Sequence, residues 1–401
     1  MSDSRLPCEI NYEIISHLSD DEDALASCSL VCRSWRSEAQ GIRFRVLKID
    51  IASRDPHKFT YTNPRCDGDF GLAAPIASYV NHLTLESKVN PANAPRVTFL
   101  KKIVSFTNAF PSLKTLTLKN IYLRDSCLRD TVENRDLERL SLVDFGADGT
   151  PDRTIGTLFS LYNMRDICVT NIQFSNAALP SHTCAPANLA NVQSLTVRSH
   201  VFTASVVDVF SRGSLRELRL RCSSVNDTRA LGSFIASGDS SLEHLRLEFI
   251  AKTRPPPDMA DLPELLHRCQ SLTALTLRVM LAWPTDIVPE ALRVVAQLVA
   301  GLPTGVQTLT IVVAVDTAAN NDPQFRDAFA EGLGEHLAWL DTAGSGPESA
   351  LAKVCWTWTT PRGQQGVVCP VLRKDLTEIV KAQFPTLGRR GMLFFVRDHR
   401  R

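Results

Sequence analysis

The hydrophobic pattern over most of the chain is a short repeat. An apolar residue is followed, three positions later, by Leu-x-Leu or a close equivalent, as in Leu113 to Leu118. Copies of this pattern begin at Val80, Leu113, Leu137, Met164, Val192, Leu215, Leu242, Leu272 and Val306. The alternation within each copy predicts a short strand, and stretches between copies, such as residues 287–298, are helix-like in pattern.

Successive copies lie 23 to 34 residues apart, which scatters about the roughly 20–29-residue period of a leucine-rich repeat. Short strands alternating with helices predict parallel strands joined by right-handed crossovers. We therefore predict an α/β solenoid, an irregular leucine-rich-repeat-like horseshoe of parallel strands with outer helices. A closed barrel would also alternate strands and helices, but the Leu-x-x-Leu-x-Leu spelling favours an open stack in which neighbours bury each other's leucines.

The turn position of the repeat departs from the full consensus. Three residues after the last strand leucine, a consensus repeat carries Asn or Cys, which hydrogen-bonds the turn backbone. Here that position holds Ile121, Phe145, Ile172, His200, Ser223, Ile250, Met280 and Ala314. We therefore expect no hydrogen-bonded ladder at the turns, so that packing alone fixes them.

The first 47 residues have a different, helical pattern. Leu6, Ile10, Ile14 and Leu18 recur every four residues and form one apolar stripe on a helix. The acidic run 20–23 supplies a cap and favourable charge for a second helix, and a third helix follows around Trp35. Three short helices bury too little apolar surface for a comfortable independent domain, which indicates that some of these side chains belong to a partner.

The spelling of this module resembles an F-box, in particular that of fungal F-box proteins. The resemblance rests on Leu6-Pro7-x-Glu9-Ile10 and on Leu30-Val31-Cys32-Arg33-x-Trp35, and it covers about a tenth of the chain. It implies docking onto the Skp-type adaptor of a cullin–RING (SCF-type) ubiquitin ligase. By the resemblance, the adaptor-binding residues are Leu6, Pro7, Glu9, Ile10, Ile14, Leu18, Leu25, Val31, Cys32 and Trp35. In the alternative, Ile14, Leu25, Val31 and Trp35 form the module's own core, and Leu6, Pro7 and Ile10 face the partner.

The patterns divide the chain into three parts. We assign residues 3–47 to the F-box, 48–77 to a first strand and an irregular insertion, and 78–401 to the solenoid. The repeat fades after about residue 318, where we expect an atypical capping region. A separate small domain from that point is the alternative.

Composition and charge add little to this picture. The net charge of +1 gives no argument for binding nucleic acid or an anionic membrane. The 11 scattered cysteines and the lack of an apolar signal segment favour free thiols in a reducing compartment, the cytoplasm or the nucleus. Cys28 and Cys32 share a helix face, but no second ligand pair completes a zinc site. We expect no metal, no cofactor and no catalytic residue.

The residues between and beside the strand leucines point to the other face of the sheet, which we predict to be concave and target-binding. On four adjacent predicted strands they include Arg198, Arg219, Arg221, Arg246 and Arg278. Arginine forks suit carboxylate or phosphate groups, so the hypothesis is a site for an acidic or phosphorylated segment of a protein target. The alternative is a solvated face neutralised by Glu217, Glu243 and Glu248.

Together these features predict the substrate-recognition subunit of a ubiquitin ligase, in which the F-box binds the adaptor and the solenoid binds a protein target. Such a subunit is not an enzyme, because it acts by holding the target near the conjugating enzyme. The alternative is a scaffold or protein-binding solenoid that acts without ubiquitin transfer. An enzyme on an α/β frame is disfavoured, because the sequence has no nucleophile elbow, metal cluster or phosphate-binding loop.

Overall fold

The computed structural model forms two compact units, residues 1–191 and 192–401, which we describe separately. The structure describes residues 7–51, 59–63, 66–69, 74–87, 107, 109–123, 135–147, 162–171, 173–174, 191–198, 215–222, 225–236, 241–250, 262–281, 287–316, 322–344, 346, 349–360 and 368–397. Within these ranges, no helix has both the length and the apolar character needed to cross a membrane.

The first unit begins with three helices: α1 (Cys8–His17), α2 (Glu22–Val31) and α3 (Arg33–Arg43). The side chain of Asp21 caps α2 by accepting a 2.9 Å hydrogen bond from the backbone N–H of Ala24. A small core fills the space between the helices. It contains Ile15, Leu25, Cys28 and Ala39, with Leu18, Trp35 and Ile42 packed against it. The predicted three-helix module is confirmed.

Strands follow directly. The first unit contains β1 (Val46–Ile51), β2 (Phe59–Asn63), β3 (Cys66–Asp69), β4 (His82–Ser87), β5 (Thr115–Lys119), β6 (Tyr122–Leu123), β7 (Arg135–Val143), β8 (Gly146–Ala147), β9 (Tyr162–Thr170) and β10 (Gln173–Phe174), with a short helix at Ala74–Ala77. The strands β1, β4, β5, β7 and β9 pair in parallel in that order. The strands β2 and β3 add antiparallel beside β1, so the segment 48–77, which we predicted to be a first strand and an irregular insertion, holds two further strands.

The turns after β5, β7 and β9 correct the expectation that no turn ladder exists. Asn120, Asp144 and Asn171 each have a positive φ, at 53°, 49° and 51°. The Asn171 Nδ2 donates a 3.0 Å hydrogen bond to the Asp144 Oδ1, and the Asn120 and Asp144 N–H groups donate to the carbonyl of the next strand at 2.9 Å. Backbone hydrogen bonds and one side-chain hydrogen bond therefore link these turns, at residues one position earlier than in the consensus repeat. Asn and Asp suit this position because they tolerate the left-handed conformation.

The second unit repeats the parallel pattern. Its strands are β11 (Ser194–Arg198), β12 (Glu217–Cys222), β13 (His244–Ile250), β14 (Ala274–Leu281), β15 (Thr308–Val315), β16 (Lys353–Thr359) and β17 (Leu393–Arg397). Each pairs in parallel with the next. The helices are Val225–Ala236, Leu262–Leu266, Val288–Ala300, Pro323–Leu337, Trp339–Ala343, Pro370–Gln383 and Pro385–Arg389. The parallel strands of the predicted α/β fold are confirmed in both units.

The described residues beyond 318 lie in the second unit, and β16 and β17 continue the sheet that contains β15. Phe329, Trp356, Trp358 and Phe384 pack together there, with ring centroids 5.9–6.4 Å apart. Trp356 is fully buried. This aromatic cluster joins two helices to the sheet by burying large apolar area.

Candidate functional site

The helical module exposes more apolar surface than its small core explains. We define the exposed apolar set as five side chains of α1 and α2 that are 39–79% accessible: Ile10, Tyr12, Ile14, Leu30 and Val31. Leu30 and Val31 are the most exposed, at 79% and 64%. Exposed apolar side chains are unfavourable in water, and their burial against another apolar surface is favourable. These side chains therefore suit contact with an apolar partner surface.

Local structure explains why these side chains point outward. In α1, Ile15 and Leu18 turn toward the core, which leaves Ile10 and Ile14 on the outer side of the helix. The helix α2 ends at Val31, and Cys32 is extended, with φ −159° and ψ 172°. The Arg36 Nε donates a 3.2 Å hydrogen bond to the Ser29 carbonyl oxygen, which holds the end of α2 against α3.

The structure separates the predicted adaptor-binding residues into two groups. Pro7, Glu9, Ile10, Ile14, Val31 and Cys32 are exposed. Leu25 is fully buried, and Leu18 and Trp35 pack against the same core. Leu25 therefore lies where a docked partner does not touch it, and its assignment as a contact residue is corrected. The alternative assignment of Ile14 and Val31 to the module's own core is also wrong, because both side chains are exposed. Leu6 lies outside the described residues.

Two members of the exposed apolar set were missed as candidate docking residues. Tyr12 is 56% exposed and Leu30 is 79% exposed. A signal for Leu30 was present in the sequence, because α2 has ten residues and its buried side is already filled by Leu25 and Cys28. A further pair of aliphatic residues on so short a helix has to face another direction. No comparable signal marked Tyr12.

The polar face of the first unit neutralises its own charges. Glu86 on β4 lies between two lysines, with its carboxylate 2.5 Å from the Lys48 Nζ and 2.8 Å from the Lys119 Nζ. The hydrogen bond to Glu86 raises the pKa of Lys48. Burial alone would raise the pKa of Glu86, but the hydrogen bonds from Lys119 and Lys48 outweigh it and lower that pKa. Asp50 also lies 3.9 Å from the Lys48 Nζ, so two lysines are balanced by two carboxylates and the cluster offers little net charge to a ligand.

The five arginines of the predicted target-binding face are not equivalent. Arg219 lies beside Arg246 in the strand register, and Glu248 lies between Arg221 and Arg278. Arg278 is only 3% exposed, so its side chain does not reach a ligand. The Arg221 Nη2 is 3.0 Å from the Glu248 Oε1, and both side chains are mostly buried.

The remaining arginines, Arg198, Arg219 and Arg246, are half-buried, and Glu217 partly neutralises Arg219. The Arg219 Nη2 and Nε lie 2.6 and 2.7 Å from the Glu217 Oε1. The expected neutralisation is therefore seen for Glu217 and Glu248, whereas Glu243 pairs with Arg216 at 3.5 Å. Of the five predicted arginines, Arg198, Arg219 and Arg246 remain as candidate ligand contacts.

The part of the chain that the structure describes contains no candidate metal site. No group of three or more His, Cys, Asp or Glu side chains comes together there. Cys28 is buried in the module core, whereas Cys32 is exposed, and both are free thiols. The shared helix face that the spacing suggested is broken by the extended backbone at Cys32.

Comparison with known families identifies the helical module. A family model described as F-box-like matches residues 3–43, the segment that holds α1, α2 and α3. No curated protein matches the chain. The protein thus carries an F-box-like domain, a class of domain that binds Skp-type adaptors and generally belongs to non-catalytic subunits.

Proposed function

We propose that the protein is the substrate receptor of a cullin–RING (SCF-type) ubiquitin ligase. The observation that carries this proposal is the exposed apolar set on an F-box-like domain. The receptor works in the compartment of the ligase, the cytoplasm or the nucleus. It needs no cofactor and no catalytic residue of its own, because it acts by raising the local concentration of target lysines near the conjugating enzyme.

Burial of the exposed apolar set would contribute favourable free energy to docking. Full burial of one aliphatic or aromatic side chain contributes about 1.5–3 kcal/mol. Because the five side chains are 39–79% exposed, docking gains only that fraction for each, about 4–8 kcal/mol in total. This gain is comparable to the entropic cost of association, so micromolar affinity requires further contacts beside the exposed apolar set. Leu30 and Val31 have the largest exposed fractions of the set, at 79% and 64%.

The strand arrays supply the target-binding part of the proposal. We take them as irregular, leucine-rich-repeat-like arrays whose polar faces meet a protein target. In the second unit, Arg198, Arg219 and Arg246 favour an acidic or phosphorylated segment, since guanidinium groups bind carboxylate and phosphate in a bidentate manner. Arg219 and Arg246 lie on neighbouring strands about 4.8 Å apart.

Co-purification with a Skp-type adaptor tests the docking step. We expect the full chain to retain the adaptor, and the Leu30→Ser/Val31→Ser double variant to lose it, because each substitution removes apolar area that only the complex buries. Val371→Ser is the matched control, because Val371 is 59% exposed on a helix of the second unit. Retention of the adaptor by the double variant, or no retention by the wild type, would refute the proposal.

A scaffold that acts without ubiquitin transfer is the second candidate, and the same module supports it. Reconstitution with the adaptor, cullin, RING subunit and conjugating enzyme separates the two. Ubiquitin chains on proteins that co-purify with the receptor are expected. A complete complex that forms no chains on them would favour the scaffold.

A further inference from the structure

The last strand of the second unit has a hydrogen-bonding edge that faces away from the sheet. Among the described residues, β17 pairs with β16 alone. The Val354 N–H donates a 2.8 Å hydrogen bond to the Met392 carbonyl oxygen. Backbone groups of successive residues point to alternate sides of a strand. The backbone groups of Phe394 therefore face β16, and those of Leu393 and Phe395 face outward.

The edge is apolar on both faces of the sheet. Phe394 and Val396 are 41% and 44% exposed on one face, and Leu393 and Phe395 are half-buried on the other. Proteins commonly blunt an exposed edge with inward-pointing charges, proline or a covering element. Four consecutive apolar residues on an edge strand are instead a template for strand addition.

Cations flank this edge on both faces. The Lys353 Nζ lies 5.1 Å from the Phe394 ring centroid, and the Lys381 Nζ lies 5.8 Å from the Phe395 ring centroid. Because Phe394 and Phe395 point to opposite faces, each face carries one lysine. Glu378, 2.9 Å from the Lys381 Nζ, is the acidic group that offsets this charge.

We infer that β17 accepts, as an added strand, an extended acidic segment of a partner protein. The outward backbone groups of Leu393 and Phe395 supply the hydrogen bonds. Apolar side chains of the added strand cover Phe394 and Val396, and its carboxylates meet Lys353 on one face and Lys381 on the other. A second copy of this chain fits less well, because it would bring the same cations against each other. The inference does not rest on the proposed function.

Peptide binding to the full chain tests this inference. The probe is a fluorescein-labelled Glu-Glu-Val-Tyr-Val-Thr-Glu-Glu peptide, measured by fluorescence anisotropy. The first control peptide has Lys in place of every Glu, and the second has Pro in place of both Val, so that it loses strand N–H groups. We expect the acidic probe to bind at least about tenfold more tightly than either control, a difference of about 1.4 kcal/mol.

Two variants localise the binding. Val396→Glu places a carboxylate on the edge and is expected to weaken the acidic probe by about tenfold or more, whereas the matched control Val371→Glu leaves it unchanged. Lys353→Glu alters an exposed side chain that the fold does not bury, and it is expected to shift preference toward the lysine peptide. A melting temperature for each variant separates loss of binding from loss of folding.

Four results would overturn the inference. The first is no binding of the acidic probe, and the second is equal binding of the proline control, which would show charge attraction without strand addition. The third is an equal effect of Val396→Glu and Val371→Glu. The fourth is a concentration-dependent dimer that Val396→Glu dissociates, which would identify a second copy as the occupant.

Discussion

At the scale of single residues, Asp341 joins two distant parts of the chain. The residue is 7% exposed, and its carboxylate accepts hydrogen bonds from the backbone N–H groups of Thr386 and Leu387 at 2.8–3.0 Å. It therefore caps the short helix Pro385–Arg389 from 45 residues away. Burial alone would raise the pKa of Asp341, but the N–H donors, chiefly Leu387, outweigh burial and lower that pKa.

The lowered pKa sets the direction in which the stability of the fold changes with pH. Because the folded-state pKa lies below the ordinary value of 3.8, the carboxylate stabilises the fold above that pH, and the contribution is lost as pH falls through the folded-state pKa. We expect Asp341→Asn to cost roughly 1–3 kcal/mol at pH 7, and the cost to shrink below about pH 4. Urea unfolding at pH 7 and below about pH 4 measures this loss of stability, and the exposed Asp327→Asn variant is the control.

A second residue-scale prediction concerns the left-handed turns. Asn120 has φ 53°, where a β-branched side chain is strained and glycine is not. Asn120→Val is expected to lower the free energy of unfolding by about 1–2 kcal/mol, and Asn120→Gly to change it by less than about half as much. Equal losses in the two variants, measured by urea unfolding, would mean that the side-chain amide rather than the backbone conformation matters.

At the scale of elements, the strands were more predictable from sequence than the module's surface. The Leu-x-Leu pattern placed Leu218, Leu245 and Leu275 in the core, and they occupy one register row across β12, β13 and β14. The outward direction of Ile14 was not predictable, because Ile14 and Ile15 are adjacent and either could face the core. Which one does so depends on the position of α3, a tertiary contact that helical spacing does not encode.

Core and surface aliphatic residues of the module are expected to respond differently to truncation. Leu25→Ala removes a fully buried side chain and should destabilise the module by about 2–5 kcal/mol. Val31→Ala removes a side chain that is 64% exposed and should change stability by less than about 0.5 kcal/mol. Thermal unfolding of both variants, monitored by circular dichroism, checks this, and a large loss for Val31→Ala would contradict the assignment of Val31 to the docking surface.

At the scale of the whole molecule, the sequence predicted the helical module and the parallel strands but not the two compact units. Repeats of similar spelling occur on both sides of residue 191, so nothing in the pattern marks that boundary. The arginines of the predicted target-binding face show a related limit. The sequence pattern placed Arg278 with Arg219 and Arg246 on one face, yet Arg278 is only 3% exposed. The alternation along a strand does not predict this burial, because it also depends on which segments cover the face.

The junction between the helical module and the first sheet also has a consequence at this scale. The Arg45 carbonyl oxygen accepts hydrogen bonds from the N–H groups of Asn81 and His82, at 3.0 and 2.9 Å, and the neighbouring Phe44 is buried. The chain therefore leaves α3 and enters β1 without a flexible linker. For a receptor held by its F-box-like domain, this junction would fix the distance and orientation of the first sheet relative to the docked module. A target bound to the first unit would present only those lysines that fall within a set reach of the conjugating enzyme, so the choice of modified lysine would follow from geometry.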